Sequence, residues 1–435
     1  MKHSRIFKRR WLFATVVATA LLAACGGGVD SDDKDDHGTI FIDTSGRLAL
    51  TEQNSNTLRI HDLDSGNVEA SHVLANVPSA VYASPGGRYA VVPQRTNDLV
   101  QFFDGGVWQE DHGDHLHDYK QASKPMSYTL VGARPTHYDV QAGVQAAFFM
   151  DGNASATPVQ NAGVRLFTDN SIAAGNTAAS LALSLPIHGL GEPVGNKLLT
   201  VARANDAPDT LPTHLTLYQR NGSGYSFDRQ LPARCNGMHG SFSSGSSTLV
   251  GCSDGMLLVK HLSASTVSDG QILSTPLRVG TIAGHPRLPN HFIGIATDGV
   301  APATVTTRFY AVNGETAAVS NLTPEGWVNG RVRRAHGFDS SGQRFFIIDD
   351  LGTLTVSQRQ GTGWVNLARV TGAIPTMPTA APWPAIAANG AKNEVYITDP
   401  VAKQLITVNS TNGAVVTRRS LGYTPAALAW LGITR

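Results

Sequence analysis

The chain has 435 residues, of which 41% are hydrophobic and 15% are charged, and its formal net charge at pH 7 is +1. The first 24 residues hold five basic and no acidic side chains, so their removal changes the net charge to −4. Such a chain lacks the positive charge that neutralises phosphates, which excludes nucleic acid as a principal partner. The remaining residues, about 400, are enough for a large core, in two domains or in one repetitive domain.

The N-terminus is predicted to be a secretory signal peptide that covers residues 1–24. Met1–Arg10 is basic, and Trp11–Ala24 is apolar but too short to span a bilayer as a mature helix. The segment ends in Leu-Ala-Ala-Cys, which resembles a bacterial lipobox, so we expect cleavage before Cys25 and lipidation of that cysteine. The alternative is an ordinary signal peptide followed by a chance cysteine. Glycine at position 26, instead of aspartate, favours an anchor in the outer membrane.

Residues 25–38 are predicted to be a flexible tether between the lipid and the folded part. Three glycines precede the polar run DSDDKDDH, and this composition cannot bury apolar surface. Export places the mature protein in the periplasm. His37, at the end of the polar run, is a candidate member of a metal-binding tail.

A repeat runs through residues 39–435 and predicts an all-β fold, a single β-propeller. Short alternating strands such as RFFIIDD, TLTVSQR and EVYITDP are bounded by Gly, Asn, Asp and Pro. Eight units with a turn followed by a strand begin at Pro78, Pro135, His188, His239, His285, His336, Pro384 and Pro425, about 41 to 57 residues apart. The last unit is truncated, and N-terminal strands can complete it, so the termini share a blade. Eight four-stranded blades are expected; seven blades, or a two-sheet sandwich, are the alternatives.

The first unit contains a histidine-rich insertion at residues 110–120, EDHGDHLHDYK. His112, His115 and His117 alternate with acids that include Asp114. In a flexible segment this mixture binds Zn²⁺ or Cu²⁺ weakly by adapting around the ion. The alternative is a solvated charged loop without a metal.

Three further histidines recur at the beginnings of successive units. His137, His188 and His239 are separated by 51 and 51 residues, and the beginnings of inner strands line one mouth of a propeller channel. Three neutral imidazoles fit Zn²⁺, which takes four ligands with Zn–N distances of about 2.0–2.1 Å. A carboxylate, a water or a histidine of the mobile loop could be the fourth ligand. The alternative is that these histidines only bond the backbone of a neighbouring blade.

The remaining histidines and cysteines receive simpler interpretations. His285 and His336 begin later units, while a second set is expected on the surface or rim: His61, His72, His214 and His261. Cys235 and Cys252 are expected to form a disulfide in an oxidising compartment, in preference to a metal-binding or free pair.

Several motifs together resemble those of the periplasmic zinc metallochaperones of the AztD type. They are PARCNGMHG and GCSDG around the two cysteines, RPTHYDV with AAFFMDG at 134–152, and EVYITDP at 394–400. The resemblance covers about residues 38–432. It implies a protein that binds Zn²⁺ and hands it to the solute-binding protein of a zinc ABC importer.

Carried over by position, the resemblance implies zinc ligands at two places. His137, His188 and His239 match the blade-start histidines, and the histidine loop supplies His112, His115 and His117, with Asp114 as a carboxylate candidate. The segment IHGLGEP has one histidine where a doubled histidine is expected, and Glu192 is the candidate to replace it.

Three functions are therefore compared. The first is a monomeric, lipid-anchored zinc chaperone without enzymatic activity, which the loop loads and a docked partner unloads. The second is a metal-dependent hydrolase, since propellers host enzymes and a histidine-bound metal activates water. The third is a metal-free interaction scaffold that presents loops on its two faces.

Overall fold

The structure is a computed structural model, and it describes residues 39–202, 211–301, 303–322 and 324–435. Thr39–Arg435 is one compact unit. The predicted signal peptide 1–24, the tether 25–38, Cys25 and His37 lie outside the described residues. Among the described residues, none belongs to a helix with the length and apolar character needed to cross a membrane.

Within the described residues, the strands form eight four-stranded antiparallel sheets and one two-stranded hairpin. The N-terminal strands are β1 (Arg47–Glu52), β2 (Thr57–Asp62) and β3 (Val68–Val73). Blade one consists of β4 (Tyr82–Ala83), β5 (Tyr89–Gln94), β6 (Leu99–Asp104) and β9 (Lys124–Val131), with the hairpin of β7 (Val107–Asp111) and β8 (Leu116–Lys120) inserted before β9. A 3₁₀ turn at Arg95–Asn97 follows β5.

The next three blades carry the candidate histidines. Blade two has β10 (Pro135–Gln141), β11 (Gln145–Met150), β12 (Gly163–Phe167), the short helix α1 (Asp169–Ala173) and β13 (Ala179–Ala182). Blade three has β14 (Gly191–Val194), β15 (Lys197–Ala202), β16 (His214–Asn221) and β17 (Gly224–Gln230). Blade four has β18 (His239–Ser244), β19 (Ser247–Cys252), β20 (Gly255–Lys260) and β21 (Gln271–Ser274).

The remaining blades complete the ring. Blade five has β22 (Val279–Gly284), β23 (His291–Asp298), β24 (Thr306–Asn313) and β25 (Ala318–Asn321). Blade six has β26 (Arg333–Phe338), β27 (Arg344–Asp349), β28 (Leu354–Gln360) and β29 (Gly363–Val370). Blade seven has β30 (Ile386–Ala388), β31 (Glu394–Asp399), β32 (Gln404–Asn409) and β33 (Val415–Ser420), and β34 (Pro425–Leu431) opens blade eight.

The core lies between neighbouring blades. All six residues of each of the second strands β5, β11 and β19 are buried, because a blade packs on both of their faces. One apolar cluster, for example, joins Phe149, Leu199 and Val250 from three successive second strands. The outermost strands β3 and β33 have no fully buried residue. Strands covered on both faces are expected to be nearly continuous apolar runs, and this pattern is what made the repeat visible.

Blade eight is shared between the termini. The C-terminal β34 is its innermost strand, and β1, β2 and β3 follow outward. Pairing runs from Arg47 opposite Leu431 to Glu52 opposite Pro425. The prediction of eight blades with a shared blade is confirmed, and seven blades are excluded. One unit was misplaced: blade five begins at Val279, and His285 lies after the end of its inner strand.

The histidine-rich insertion has regular secondary structure, so its prediction as a flexible loop was wrong. β7 and β8 pair from Val107 opposite Lys120 to Asp111 opposite Leu116. The rings of Trp108 and Tyr119 stack across the hairpin with centroids 4.8 Å apart. The buried Asp118 accepts hydrogen bonds from the Ile42 backbone N–H and from Gln109 and forms an ion pair with Arg435. Both ends of the described chain therefore hold the hairpin in place.

Trp430 on β34 offers a test of the ring closure. Its indole Nε1–H donates to the Ser45 carbonyl at 2.9 Å. Its ring packs against blade seven, at the seam where β34 and β1 close the ring. Trp430→Ala is expected to lower the free energy of unfolding by roughly 3–5 kcal/mol, measured by urea denaturation. Trp364→Ala, on the outermost strand β29, is the matched control and is expected to cost less. Equal losses for the two variants would contradict a special role of this seam.

Candidate metal centre

The three recurrent histidines come together at one mouth of the channel. His137 lies near the beginning of β10, His188 precedes β14, and His239 begins β18. These inner strands belong to successive blades and contact one another around the axis. Their ring centroids are 4.8 Å apart for His137 and His188, 5.5 Å for His137 and His239, and 5.2 Å for His188 and His239. We call these residues the tri-histidine cluster.

β-bulges set the direction of two of these side chains. The register of β10 shifts between Pro135 and His137, and the register of β18 shifts between His239 and Ser241. The extra residue in β18 is Gly240, whose φ is +65° and whose absent Cβ would lie 2.8 Å from a backbone oxygen of blade five. Only glycine meets both conditions. Bulges of this kind re-aim side chains at functional sites.

Hydrogen bonds at Nδ1 direct the Nε2 atoms of two histidines toward the centre of the cluster. Nδ1 of His239 donates to the Gly280 carbonyl at 2.8 Å. Nδ1 of His188 lies 3.0 Å from Oδ2 of Asp151. A carboxylate or carbonyl that accepts from one ring nitrogen fixes the tautomer in which the other carries the lone pair. The arrangement therefore presents Nε2 of both residues as metal ligands.

Asp151 is itself held in its charged form. The Arg95 guanidinium lies 3.1 Å from Asp151 Oδ2. Arg95 follows a strand of blade one, Asp151 follows a strand of blade two, and His188 leads into blade three, so the three side chains form a chain of contacts across three blades. Although burial alone raises it, the pKa of Asp151 is held below its usual range by the hydrogen bonds from His188 and Arg95. The carboxylate thus remains an acceptor for His188 at neutral pH.

Two of the three imidazoles in the tri-histidine cluster have the spacing of ligands on one tetrahedral metal ion, and the third is close to them. Nε2 of His137 and Nε2 of His188 are 3.1 Å apart, and one ligand atom from each of the three residues lies within 4.8 Å of the others. Two nitrogens bound to one Zn²⁺ at about 2.05 Å and a tetrahedral angle are about 3.3 Å apart. Burial, followed by the neighbouring His188 and His239, lowers the pKa of His137 to about 4, so this imidazole is neutral, as a ligand must be, at neutral pH.

No carboxylate and no fourth histidine among the described residues belongs to this cluster. Among the described His, Cys, Asp and Glu side chains, only the three histidines group within 4.8 Å. Glu192 lines the cavity of about 340 Å³ next to His137 and His239, but it is no member of the group. The described side chains thus account for three of the four ligands of a tetrahedral site.

The hairpin histidines form a second group, in place of the flexible loop that was expected. Ring centroids lie 5.2 Å apart for His112 and His115, and 4.6 Å apart for each of these with His117. Asp114 Oδ1 is 2.6 Å from His115 Nδ1, and its pKa is held below its usual range first by that hydrogen bond. Nε2 of His117 is buried and has no hydrogen-bond partner among the described residues. The role of all four as metal ligands stays a prediction.

The two histidine groups lie at opposite mouths of the channel. β10 begins at the tri-histidine cluster, and the turn at its far end, Ala142–Gly143, lines a cavity of about 1080 Å³. Hairpin residues Trp108 and Glu110 line the same cavity. An inner strand of six or seven residues spans about 20 Å. A hairpin histidine is therefore not positioned to supply the fourth ligand of the tri-histidine cluster.

The remaining histidines lie outside the tri-histidine cluster. Some of them do not lie where they were expected from the sequence, at the rim or at the beginning of a unit. His61 is buried, with Nε2 2.8 Å from the Tyr423 hydroxyl, and is no rim residue. His285 lies at the mouth with the larger cavity. His336 lies within β26, where its Nδ1 accepts from Arg333 at 3.0 Å. The histidines of blades two to four thus converge at one mouth of the channel, whereas His61, His285 and His336 lie apart from them.

A disulfide joins Cys235 and Cys252, whose Cα atoms are 5.2 Å apart. Both cysteines are buried, Cys252 at the end of β19 and Cys235 in the segment before β18. The bridge fixes the segment that leads into His239. A loop of 17 residues closed in this way contributes about 3 kcal/mol in the chain-entropy treatment.

Sequence reasoning missed Asp151 and Arg95. Asp151 lies in the segment AAFFMDG, directly after β11 returns to the mouth where β10 began. Arg95 follows β5 in the same way. The propeller topology could have pointed to both residues. The end of each second strand lies at the same mouth of the channel as the beginnings of the inner strands, so the residues that follow β5 and β11 are expected near the histidines.

The fold and the tri-histidine cluster together define an eight-bladed β-propeller with a candidate metal centre at one mouth of its channel. No protein-family model matches the chain. It is 26% identical over 224 residues to the zinc chaperone AztD of Citrobacter koseri; the match covers 52% of this chain and about half, 50%, of that relative. The resemblance to AztD-type zinc chaperones that the motifs indicated is confirmed.

Solved structures show the same fold. The crystal structure of Citrobacter koseri AztD superposes with a TM-score of 0.70 at 19% identity, over 89% of this chain and 99% of that one. Apo AztD from the same organism gives 0.69 at 19% identity, over 88% and 96%. The dihydro-heme d1 dehydrogenase NirN gives 0.55 at 11% identity, over 90% and 76%. At these low identities, the structural similarities show a common fold.

The partly buried His336 predicts a loss of stability in acid. Burial, followed by the charge of Arg333, lowers its pKa from 6.5 to about 3, so the unfolded chain takes up this proton first as the pH falls. Stability is retained above about pH 6.5 and falls progressively toward pH 3; at pH 5 the loss from this residue is about 2 kcal/mol. Urea unfolding at pH 7.5 and pH 5 measures it.

His336→Asn should reduce that pH dependence by the same amount. The control is Phe345→Leu, whose ring centroid lies 5.7 Å from that of His336; it should lower stability equally at the two pH values. An unchanged pH dependence in His336→Asn would show that this histidine is not the acid-sensitive group.

Proposed function

We propose that this protein is a periplasmic zinc chaperone that binds Zn²⁺ at the tri-histidine cluster and passes it directly to the solute-binding protein of a zinc ABC importer. The observation that carries the proposal is the convergence of three imidazoles with one coordination position left over. The similarity to a relative named as a zinc chaperone supports zinc as the cargo. The transfer step and the partner rest on that similarity and on the chemistry of the cluster.

A three-ligand site at a channel mouth suits transfer. Structural zinc sites are closed by four protein ligands, whereas a site with three keeps a position open. A ligand from a docked partner enters that position, and the histidines then leave one at a time. Zinc thus moves by ligand exchange without release into solution.

The hairpin is proposed as the site that captures zinc. The rings of His112, His115 and His117 lie near one another in an ordered hairpin, with the exposed Asp114 beside them. Their ligand atoms are not grouped within 4.8 Å, so the side chains would have to rotate to bind one ion. The position of the hairpin at the opposite mouth supports a function separate from the tri-histidine cluster. Histidine ligands also bind Cu²⁺, so selectivity depends on which metal the periplasm supplies.

The location of the protein is part of the proposal. Cleavage after residue 24 and lipidation of Cys25 would anchor a monomer of net charge −4 to the membrane, and we favour the outer membrane. Residues 25–38 would then serve as the tether. This arrangement keeps the propeller in the periplasm, where an importer's solute-binding protein is met.

A hydrolase is the second candidate, because three histidines with an open position also describe hydrolytic zinc centres. The chaperone is favoured, since the similar curated protein is named as a chaperone. Zinc-dependent hydrolysis of a panel of lactones and esters, abolished by His239→Ala, would instead favour the enzyme.

Zinc binding tests the proposal. Stoichiometry and affinity are measured by competition with a chromogenic chelator, on the soluble chain without residues 1–25. We expect at least one tight zinc that His239→Ala loses, because removing one of three ligands destroys the site. The triple variant with alanine at His112, His115 and His117 should retain that zinc and load it more slowly.

His214→Ala is the matched control, since His214 bonds only to the adjacent Thr213 among the contacts that the structure describes. It should bind zinc as the unsubstituted chain does. If the unsubstituted chain holds no tight zinc, the tri-histidine cluster is structural and the metal-free scaffold becomes the better description.

The carboxylate behind His188 gives a separate prediction. Asp151→Asn keeps the shape of the side chain but removes the charge that orients His188 and makes it basic. Zinc affinity should fall by about 10- to 100-fold, as is typical for such supporting groups. An unchanged affinity would mean that Asp151 serves only the ion pair with Arg95.

A further inference from the structure

Two cavities follow one another along the channel. The smaller, of about 340 Å³, is lined by His137 and His239 of the tri-histidine cluster. The larger, of about 1080 Å³, is lined by Trp108 and Glu110 of the hairpin. The side chains that line both cavities are Tyr82, Tyr138 and Val140. The two cavities are therefore neighbours that share these three side chains as a common wall.

Oxygen-bearing side chains form a second tier in the smaller cavity. Asp139 on β10, Glu192 on β14 and Ser241 on β18 all line it. The three strands are the inner strands of the same blades that supply the tri-histidine cluster. Each blade thus contributes one imidazole and one oxygen side chain to the channel.

The second tier has hydrogen-bonding capacity that the protein does not use. Glu192 is 1% exposed, and its Oε1 has no hydrogen-bond partner among the described residues. The buried hydroxyl of Ser241, with Ser243, lies near enough to the Glu192 carboxylate to stabilise its charged form, although Glu192 Oε1 itself stays unpartnered. Asp139 uses Oδ2 to accept from the Gly191 backbone N–H at 3.1 Å. Burial raises the pKa of Glu192, so without a further partner this carboxyl group takes up a proton, whereas a cation in the cavity would keep it charged.

We propose that Asp139, Glu192 and Ser241 hold a divalent cation inside the channel, as a station between the hairpin mouth and the tri-histidine cluster. Two carboxylates and a hydroxyl are oxygen ligands that Zn²⁺ and Mn²⁺ accept. The station is a weaker zinc site than three imidazoles, since it offers fewer nitrogen donors. Its role in zinc movement rests on the proposed chaperone function, whereas its existence as a cation site does not.

The station gives metal captured at the hairpin a path through the propeller. Without it, an ion that leaves the hairpin would have to travel around the outside of the molecule. With it, the ion moves from exposed imidazoles to buried oxygens and then to the tri-histidine cluster. A loaded chaperone would then present zinc on the face opposite to the one where it was captured.

Mn²⁺ is the probe, because it favours oxygen ligands. It is titrated into metal-free protein that carries His239→Ala and alanine at the three hairpin histidines, so that neither histidine group competes. The electron paramagnetic resonance signal of free Mn²⁺ reports binding. We expect one bound Mn²⁺, and Glu192→Gln added to this protein should weaken it by roughly ten-fold or more, as the loss of a ligand requires.

Asp399→Asn is the matched control. Asp399 is also a buried carboxylate with an unpartnered oxygen, Oδ2, but it ends β31, a second strand of blade seven. It should leave Mn²⁺ binding unchanged. No bound Mn²⁺, or binding that Glu192→Gln leaves unaltered, overturns the station.

The same titration on the chain with all histidines intact covers the case in which the multiple variant does not fold. In that chain, too, Glu192→Gln must weaken the binding of Mn²⁺ at the station and leave tight zinc binding at the tri-histidine cluster unchanged. Loss of tight zinc in His239→Ala tests the chaperone proposal by a different readout. The failure of one proposal is thereby distinguished from the failure of the other.

Discussion

Backbone pairing between β34 and β1, from Arg47 opposite Leu431 to Glu52 opposite Pro425, joins the two ends of the described chain. Each blade packs mainly on its neighbours, so an open row of blades would leave two sheet edges unpaired and the angles between blades free. Closing the ring removes those edges. It also fixes how the inner strands of blades two, three and four converge, which brings residues 51 positions apart within ligand distance of one ion.

The fold was largely predictable because a propeller repeats its physical requirements. Each second strand is covered on both faces and reads as an apolar run, and each unit ends in a Gly- or Asn-containing turn. The truncated last unit predicted the shared blade. His137, His188 and His239 could be grouped because equal spacing becomes equal angular position in a ring. His285 was misplaced because a histidine followed by proline after β22 imitates the beginning of a unit.

Other features depended on contacts that no repeat encodes. The order of the hairpin comes from long-range partners, Arg435 and Ile42 on Asp118, which lie more than 70 residues away in sequence. The support of His188 passes through Asp151 to Arg95, on three different blades. His61 reads as a strand residue of the rim, yet Tyr423 covers it because the termini meet there. Non-local pairs of this kind are invisible in a single sequence.

The backbone of Ile40 bonds on both sides to β8: its N–H donates to the Leu116 carbonyl, and its carbonyl accepts from the Asp118 N–H. The polypeptide therefore enters the propeller beside His117, at the hairpin mouth. A pull applied to the chain before residue 39 is transmitted first to these two hydrogen bonds. The hairpin therefore takes up such a load before any of the eight blades does.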